Sequence, residues 1–261
     1  MDYRLLHIIG KGAFSKVYLA EAGNGQLYAC KVSSQKKMLK REAGILKELY
    51  HPLFPVYTDY MERGDEGMLV MEYISGENMK QLIELRGKFS AKETMRYVVQ
   101  LVDGLRYLHE RQPVILYRDL KPENIMVCQN GGIKLIDFGC ACRLGEQDTA
   151  KVGTPAFAPP EQFASDGVTG IYSDVYCLGQ TVRSIMREES AGDREEKKYR
   201  RRLNRLITGC VCEDIGQRLQ DMINVSDLLW GKRKQVGEEN AVCIKNIWES
   251  SYKNSCSLPS I

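Results

Sequence analysis

The amino-acid sequence predicts an α+β protein, with a small antiparallel β-sheet portion carrying one helix ahead of a larger, mainly helical portion. Short strand-like runs dominate residues 1–74. From residue 77 onward, apolar residues recur at helical spacing instead, and a segment built on one period cannot bury its apolar face in the other structure. Asn24-Gly25 sits between two of the strand-like runs. That pair suits the left-handed backbone of a two-residue hairpin turn.

Taken in order, Ile8-Ile9 lead into a glycine-rich turn, and Val17-Tyr18-Leu19-Ala20 leave it as a strand. The Asn24-Gly25 turn then joins this strand to Leu27–Val32. Lys36 to Tyr50 carries Met38, Ile45, Leu46 and Leu49 at helical spacing, and Phe54–Met61 and Met68–Ile74 read as two more strands. The clearest helix is Ser90–Glu110. Ser90 is its N-cap and Glu93, three residues on, completes a capping box. Its stripe of Met95, Val98, Val99, Leu101, Val102, Leu105 and Leu108 is wide enough to predict extensive burial. Short strands at Ile125–Cys128 and Ile133–Ile136 flank the turn Asn130-Gly131-Gly132. Loop and helix continue to Trp230, and a cleft is expected between the two portions. Residues 231–261 lose periodicity and read as a tail, packed on the domain or frayed.

The chain has 261 residues, 43% hydrophobic and 27% charged, which is ordinary for a soluble globular protein. A net charge of +3 is too small to argue for nucleic acid, and no apolar run reaches the length of a membrane span. Met1-Asp2-Tyr3-Arg4 does not open a secretory signal, so a cytoplasmic location is expected. The nine cysteines read as reduced thiols, with disulfides or zinc as the alternative. Arg194–Arg202 is a dense charge run. It reads as a solvated helix face, with a docking surface for an acidic partner as the alternative.

The chemistry begins at Gly10-Lys11-Gly12-Ala13-Phe14-Ser15-Lys16-Val17. Glycines let a turn approach phosphate oxygens closely and offer them amide donors, although Ser15 stands where a third glycine is usual. Lys31, inside the apolar run Tyr28-Ala29-Cys30-Lys31, needs an anionic partner or a sheet edge. The decisive stretch is Tyr117-Arg118-Asp119-Leu120-Lys121-Pro122-Glu123-Asn124, followed by Asp137-Phe138-Gly139, Gly153-Thr154-Pro155 and Pro159-Pro160-Glu161. In this order the set resembles the eukaryotic-like (Hanks-type) serine/threonine protein kinases, and in its compact loops a bacterial member of them. The resemblance covers residues 1–230 and implies a bilobal protein kinase fold. The small lobe would be 1–74, the helical lobe 75–230 and the tail 231–261.

The resemblance also implies roles. Lys31 would hold the ATP phosphates, paired with Glu42; Glu48 is the other carboxylate near that register. Asp119 would be the base for the substrate hydroxyl, and Lys121 would neutralise the transferred phosphoryl group. Asn124 and Asp137 would hold magnesium, with manganese as an alternative ion. The segment Gly10, Lys11, Gly12, Ala13, Phe14 and Ser15 would cover the nucleotide. Val17, Ala29 and Met126 would sandwich the adenine, with Met71 as gatekeeper and Glu72, Tyr73 and Ile74 as the hinge. Asp174 would brace the catalytic loop, and Glu161 with Arg218 would anchor the activation segment. Lys121 and Thr154 point to serine or threonine as acceptor in protein substrates. Arg118 implies control by activation-loop phosphorylation, with Thr149 as acceptor. Thr154 is set aside for that role because its hydroxyl should be occupied by Asp119 and Lys121.

Glu42 follows Lys31 by only 11 positions, so the regulatory helix is expected to lack its first turns. No sensor domain accompanies these motifs, so a regulatory partner, the tail or the activation loop is expected to supply the input. The competing readings are a catalytically silent ATP-binding scaffold and a small-molecule kinase. The complete charged set argues against the first, and the Gly-Thr-Pro and Pro-Glu segments argue against the second.

Overall fold

The computed structural model describes residues 3–146, 152–165, 167–188 and 193–231. The tail and Thr149 lie outside them. The chain divides into two compact units, one running to Ser75 and including Lys134–Ala141, the other Gly76–Ile133 and the chain from Cys142.

The first unit is built on five antiparallel strands, β1 (Tyr3–Lys11), β2 (Lys16–Ala22), β3 (Leu27–Ser33), β4 (Tyr57–Arg63) and β5 (Glu66–Glu72), in the order β1-β2-β3-β5-β4. The hairpin between β2 and β3 turns at Gly25, whose φ of 81° is the conformation that glycine adopts without a steric penalty. Side chains alternate across the sheet. Tyr3, Ala20, Cys30, Val32, Met68 and Val70 pack together on one face. Leu69 points to the other, against Leu39 and Ala43 of helix α1 (Lys36–Leu46). Cross-strand partners share a face, so the pairings Val17↔Lys31, Lys31↔Leu69 and Ala29↔Met71 put all five of these residues on the α1 side.

Two expectations need correction here. The helix ends at Leu46 rather than Tyr50, because Glu48 and Leu49 donate their amides three residues back and close a tight turn instead of continuing the helix. The strand placed at Phe54–Met61 begins only at Tyr57. Phe54 instead inserts its ring edge-on against Phe138, with centroids 5.4 Å apart, and is buried there.

The second unit holds β6 (Glu77–Asn78), α2 (Met79–Arg86), α3 (Ala91–His109), β7 (Ile115–Leu116), β8 (Ile125–Val127), β10 (Cys142–Arg143), α4 (Ile171–Ile185), α5 (Arg194–Cys210) and α6 (Met222–Trp230). Strand β9 (Ile133–Leu135) is where the chain passes into the first unit. β6 pairs with β8, and β7 with β10.

The capping box of α3 is present as the sequence predicts. Val98, Leu101, Leu105 and Leu108 in its stripe are fully buried, each stabilising the fold by about 1.5–3 kcal/mol. Gly179 of α4 lies so close to α5 that a Cβ there would meet Cys210 Cβ at 2.5 Å. The charge run forms the first half of α5. It is more than a solvated face, because Glu196 reaches back to the start of α3. Its carboxylate accepts the amides of Ala91 (2.6 Å) and Lys92 (3.0 Å), and Glu195 pairs with Lys92 Nζ at 2.8 Å.

Candidate active site

The predicted residues fall into two groups, one in each unit. In the first unit Lys31 sits in mid-strand on β3, surrounded by apolar neighbours. A bare ammonium there would be costly. Glu42, one of the buried residues of α1, answers it with both carboxylate oxygens at 2.8 Å, and Asp137 Oδ1 adds a third contact at 2.8 Å. Glu48 is exposed and does not take this place.

Burial works against the charge on Lys31, but the adjacent Glu42 and Asp137 carboxylates outweigh it and hold its pKa above the ordinary lysine value. Burial raises the Glu42 carboxyl, while Lys31 and the Phe138 amide oppose that rise. With two short contacts to the ammonium and the Phe138 N–H at 3.3 Å, we take the pair as ionised at neutral pH. The Gly139 amide also donates to Asp137 Oδ1, at 2.9 Å. The glycine-rich turn closes through the Gly12 amide on the Ser15 carbonyl at 2.9 Å, and Phe14 stands exposed at its tip. Met71 is buried, and Glu72 accepts from Lys134 Nζ (2.6 Å) and the Val56 amide (3.1 Å).

The sequence alone did not point to Ser33. Its hydroxyl donates to the Phe14 carbonyl at 2.7 Å and accepts the Gln35 amide at 3.1 Å. One side chain thus ties the tip of the glycine-rich turn to the entry of α1. Serine's enrichment in turns was the only available signal.

In the second unit Asp119 is held from three directions. Lys121 Nζ donates to Oδ2 (2.8 Å), Thr154 Oγ1 to Oδ1 (2.8 Å), and Asn124 Nδ2 to Oδ2 (3.0 Å) and to the backbone carbonyl (2.9 Å). Lys121 also reaches the Thr154 hydroxyl at 2.7 Å, so that hydroxyl is occupied as expected. The loop holding Asp119 is strained, since Arg118 adopts φ 64°, which L side chains rarely do. Asp174, fully buried on α4, pins this turn by accepting the amides of Tyr117 (2.9 Å) and Arg118 (2.7 Å), and His109 Nε2 lies 2.9 Å from the same carboxylate.

Further bonds fix the flanks. Thr181 Oγ1 donates to the Leu120 carbonyl at 2.9 Å, and Gln162 Nε2 donates to the carbonyls of Arg118 (2.8 Å) and Val152 (2.6 Å). Glu161 and Arg218 form a buried two-pronged pair at 2.5 and 3.1 Å. Ile125 and Val127 flank Met126 on β8, where it is partly exposed.

The donor set can be tested against magnesium. The Asn124 amide nitrogen is spent on Asp119, which leaves the amide oxygen as the group a cation would meet. In the first unit, Asp137 presents a hard oxygen on a side chain that is 44% exposed. Among the described residues no three His, Cys, Asp or Glu groups gather into a metal cage. Each oxygen by itself is of the kind magnesium takes, since that ion uses one or two protein oxygens and completes its shell with phosphate and water.

Comparison with known proteins places the chain directly. Residues 3–254 match the protein kinase domain, and the chain belongs to that family. Among curated relatives it is 34% identical to the cAMP-dependent protein kinase catalytic subunit PRKX of Homo sapiens, over 71% of this chain and 53% of that protein. It is 31% identical to CBL-interacting serine/threonine-protein kinase 8 of Arabidopsis thaliana, over 70% of this chain and 44% of that protein. The match to cytokinesis protein sepH of Aspergillus terreus is 34% identical over 71% of this chain and 14% of that protein. The chain thus spans from about a seventh to about half the length of these relatives. The family in general works with ATP and magnesium. No helix among the described residues is long and apolar enough to cross a membrane.

Proposed function

We propose that this chain is an active serine/threonine protein kinase, transferring the γ-phosphoryl group of ATP to hydroxyls of protein substrates in the cytoplasm. The observation that carries the reading is the cluster around Asp119, where the carboxylate, Lys121, Thr154 and Asn124 all lie within 3.0 Å of a neighbour in the set.

Phosphoryl transfer asks for positioned charge rather than covalent chemistry. Lys31, fixed by Glu42, holds the nucleotide phosphates, and the turn from Gly10 to Ser15 covers them. Val17, Ala29 and Met126 take the adenine, with Met71 and the Glu72–Ile74 backbone at its edge. Asn124 and Asp137 would hold magnesium, which would neutralise charge on the phosphates. Asp119 orients the substrate hydroxyl and takes its proton as the oxygen attacks phosphorus. The bond from the γ-phosphorus to the β–γ bridging oxygen breaks, and ADP leaves with that electron pair. Lys121 neutralises charge on the phosphoryl oxygens in transit. Thr154 binds Lys121 and Asp119 at once, and this supports an aliphatic hydroxyl acceptor beside it.

The test is phosphate incorporation from γ-labelled ATP and magnesium into generic protein substrates. Wild type should label serine and threonine on phosphoamino-acid analysis. Asp119→Asn should lose at least about 100-fold in rate, the usual scale for removing a general base. Equal labelling by both proteins would overturn the assignment. ATP binding without transfer by wild type would mark a scaffold, and labelling of small alcohols alone would mark a small-molecule kinase.

A further inference from the structure

The charged half of α5 has two sides that behave differently. Its acids are all engaged. Asp193 caps the helix through the Glu196 amide at 2.8 Å, Glu195 pairs with Lys92, and Glu196 caps α3 while lying 3.6 Å from Arg200. Arg200 in turn donates to the carbonyls of Arg187 and Glu188. Lys197, Arg201 and Arg205 are exposed and make no ion pair or side-chain hydrogen bond among the described residues. They are four residues apart, so they stand in one row up the helix. Like charges at that spacing destabilise a helix, and no acid among the described residues pairs with the row to offset the cost.

This row borders a depression of about 590 Å³. Asn204 and Thr208 add hydrogen-bonding groups along it, and Leu228 of α6 forms part of its opposite wall. The depression is shallow and open to solvent, so it suits a segment laid along it rather than an enclosed small molecule. Neither the proposed catalytic groups nor their supports include any of these residues.

We propose that this groove between α5 and α6 docks an acidic, extended peptide segment of a protein partner. Charge complementarity selects the sign of the partner, and spacing selects its form. Successive cations in the row rise about 6 Å along the helix axis. Alternate residues of an extended chain repeat at about 6.6 Å. A segment with Asp or Glu at every second position can therefore meet Lys197, Arg201 and Arg205 in turn, with intervening side chains facing Leu228. A lone anion would meet only one or two of these cations. The docking is independent of phosphoryl transfer, so it can recruit a substrate or a regulator without touching the catalytic groups.

The test is fluorescence anisotropy with a labelled peptide carrying Glu at alternate positions, using the full chain. Binding is expected at low salt, with affinity falling at least about tenfold as salt rises past the point where exposed charges are screened. The double variant R201E/R205E should weaken binding more than tenfold, and Thr208→Trp, which fills the groove without changing charge, should also weaken it. Lys37→Glu, on α1 in the first unit, should bind like wild type. Circular dichroism melts matching wild type establish that each variant is folded. Unchanged affinity in R201E/R205E would overturn the proposal. So would equal binding of a Gln-for-Glu peptide, or tighter binding to anionic lipid vesicles or to an oligonucleotide than to the peptide.

Discussion

Ser33 takes no part in any proposed chemical step, yet its hydroxyl joins the Phe14 carbonyl to the start of α1. Removing one such bond costs on the order of 1 kcal/mol. Ser33→Ala should therefore raise KM for ATP about fivefold with kcat nearly unchanged, because the freed turn covers the phosphates less of the time. Steady-state kinetics across ATP concentrations would show it, and a fall in kcat alone would be the wrong outcome. Asp174 is the other revealing residue. Its carboxylate accepts two backbone amides across the strained Arg118 turn, with no exposed surface. In Asp174→Asn one amide must face an NH2 group, leaving a buried donor unsatisfied. We expect a loss of about 3 kcal/mol in urea unfolding, together with most of the activity.

At the scale of elements, the start of α3 shows how a helix terminus is completed from two sources. Ser90 accepts the Glu93 amide, a bond between residues three apart that the capping box announces. Glu196 accepts the Ala91 and Lys92 amides from 105 and 104 residues away. Both place negative charge or lone pairs where the helix dipole favours them. Glu196→Ala should lower stability by about 1–2 kcal/mol and lower Tm by a few degrees. A combined change with Ser90→Ala should be nearly additive, since the two side chains serve different amides. Helix α1 is the contrasting case. It has no side-chain cap and begins with two lysines, the unfavourable sign for that end. It is held by Leu39 and Ala43 against Leu69 and by the Glu42–Lys31 pair. Its position is thus set by tertiary contacts, which also fix where Lys31 points.

For the molecule as a whole, buried thiols weaken the fold at alkaline pH. Burial pushes Cys30 up to about 11 and Cys210 up to about 12, and raises Cys177 well above its ordinary value. The folded protein keeps these protons where the unfolded chain releases them, so stability falls as pH climbs above the unfolded value of 9.0. Each thiol contributes a slope of about 1.4 kcal/mol per pH unit between its unfolded and folded values. Lys31 acts at higher pH than the thiols. Its folded pKa is raised, so its stabilisation is intact below the unfolded 10.5 and is lost as pH rises through the folded value. Thermal melts should be flat from pH 7 to 8.5 and fall steeply from pH 9 to 10.5. Cys210→Ala, which removes one of these protons, should reduce that slope. Equal slopes would assign the alkaline loss to other groups.

The sequence by itself determined the order of strands and helix in residues 1–74, the hairpin at Gly25, the capped helix α3 and the residues of both charged clusters. These features depend on periodicity, local turn chemistry or motifs read within a few neighbouring positions. Asp119, Lys121 and Asn124 lie within six positions of one another, so the loop that gathers them is legible in one stretch. Only the tertiary structure decided where α1 stops, that Phe54 leaves its strand for Phe138, that Ser33 holds the glycine-rich turn, and that the acids of the α5 charge run are consumed inside the fold while Lys197, Arg201 and Arg205 are not. Each of these is a contact between residues distant in the chain, or one whose partner is set by packing. The free energy of such a contact depends on which groups the folded core brings within about 3 Å, and no local pattern records that.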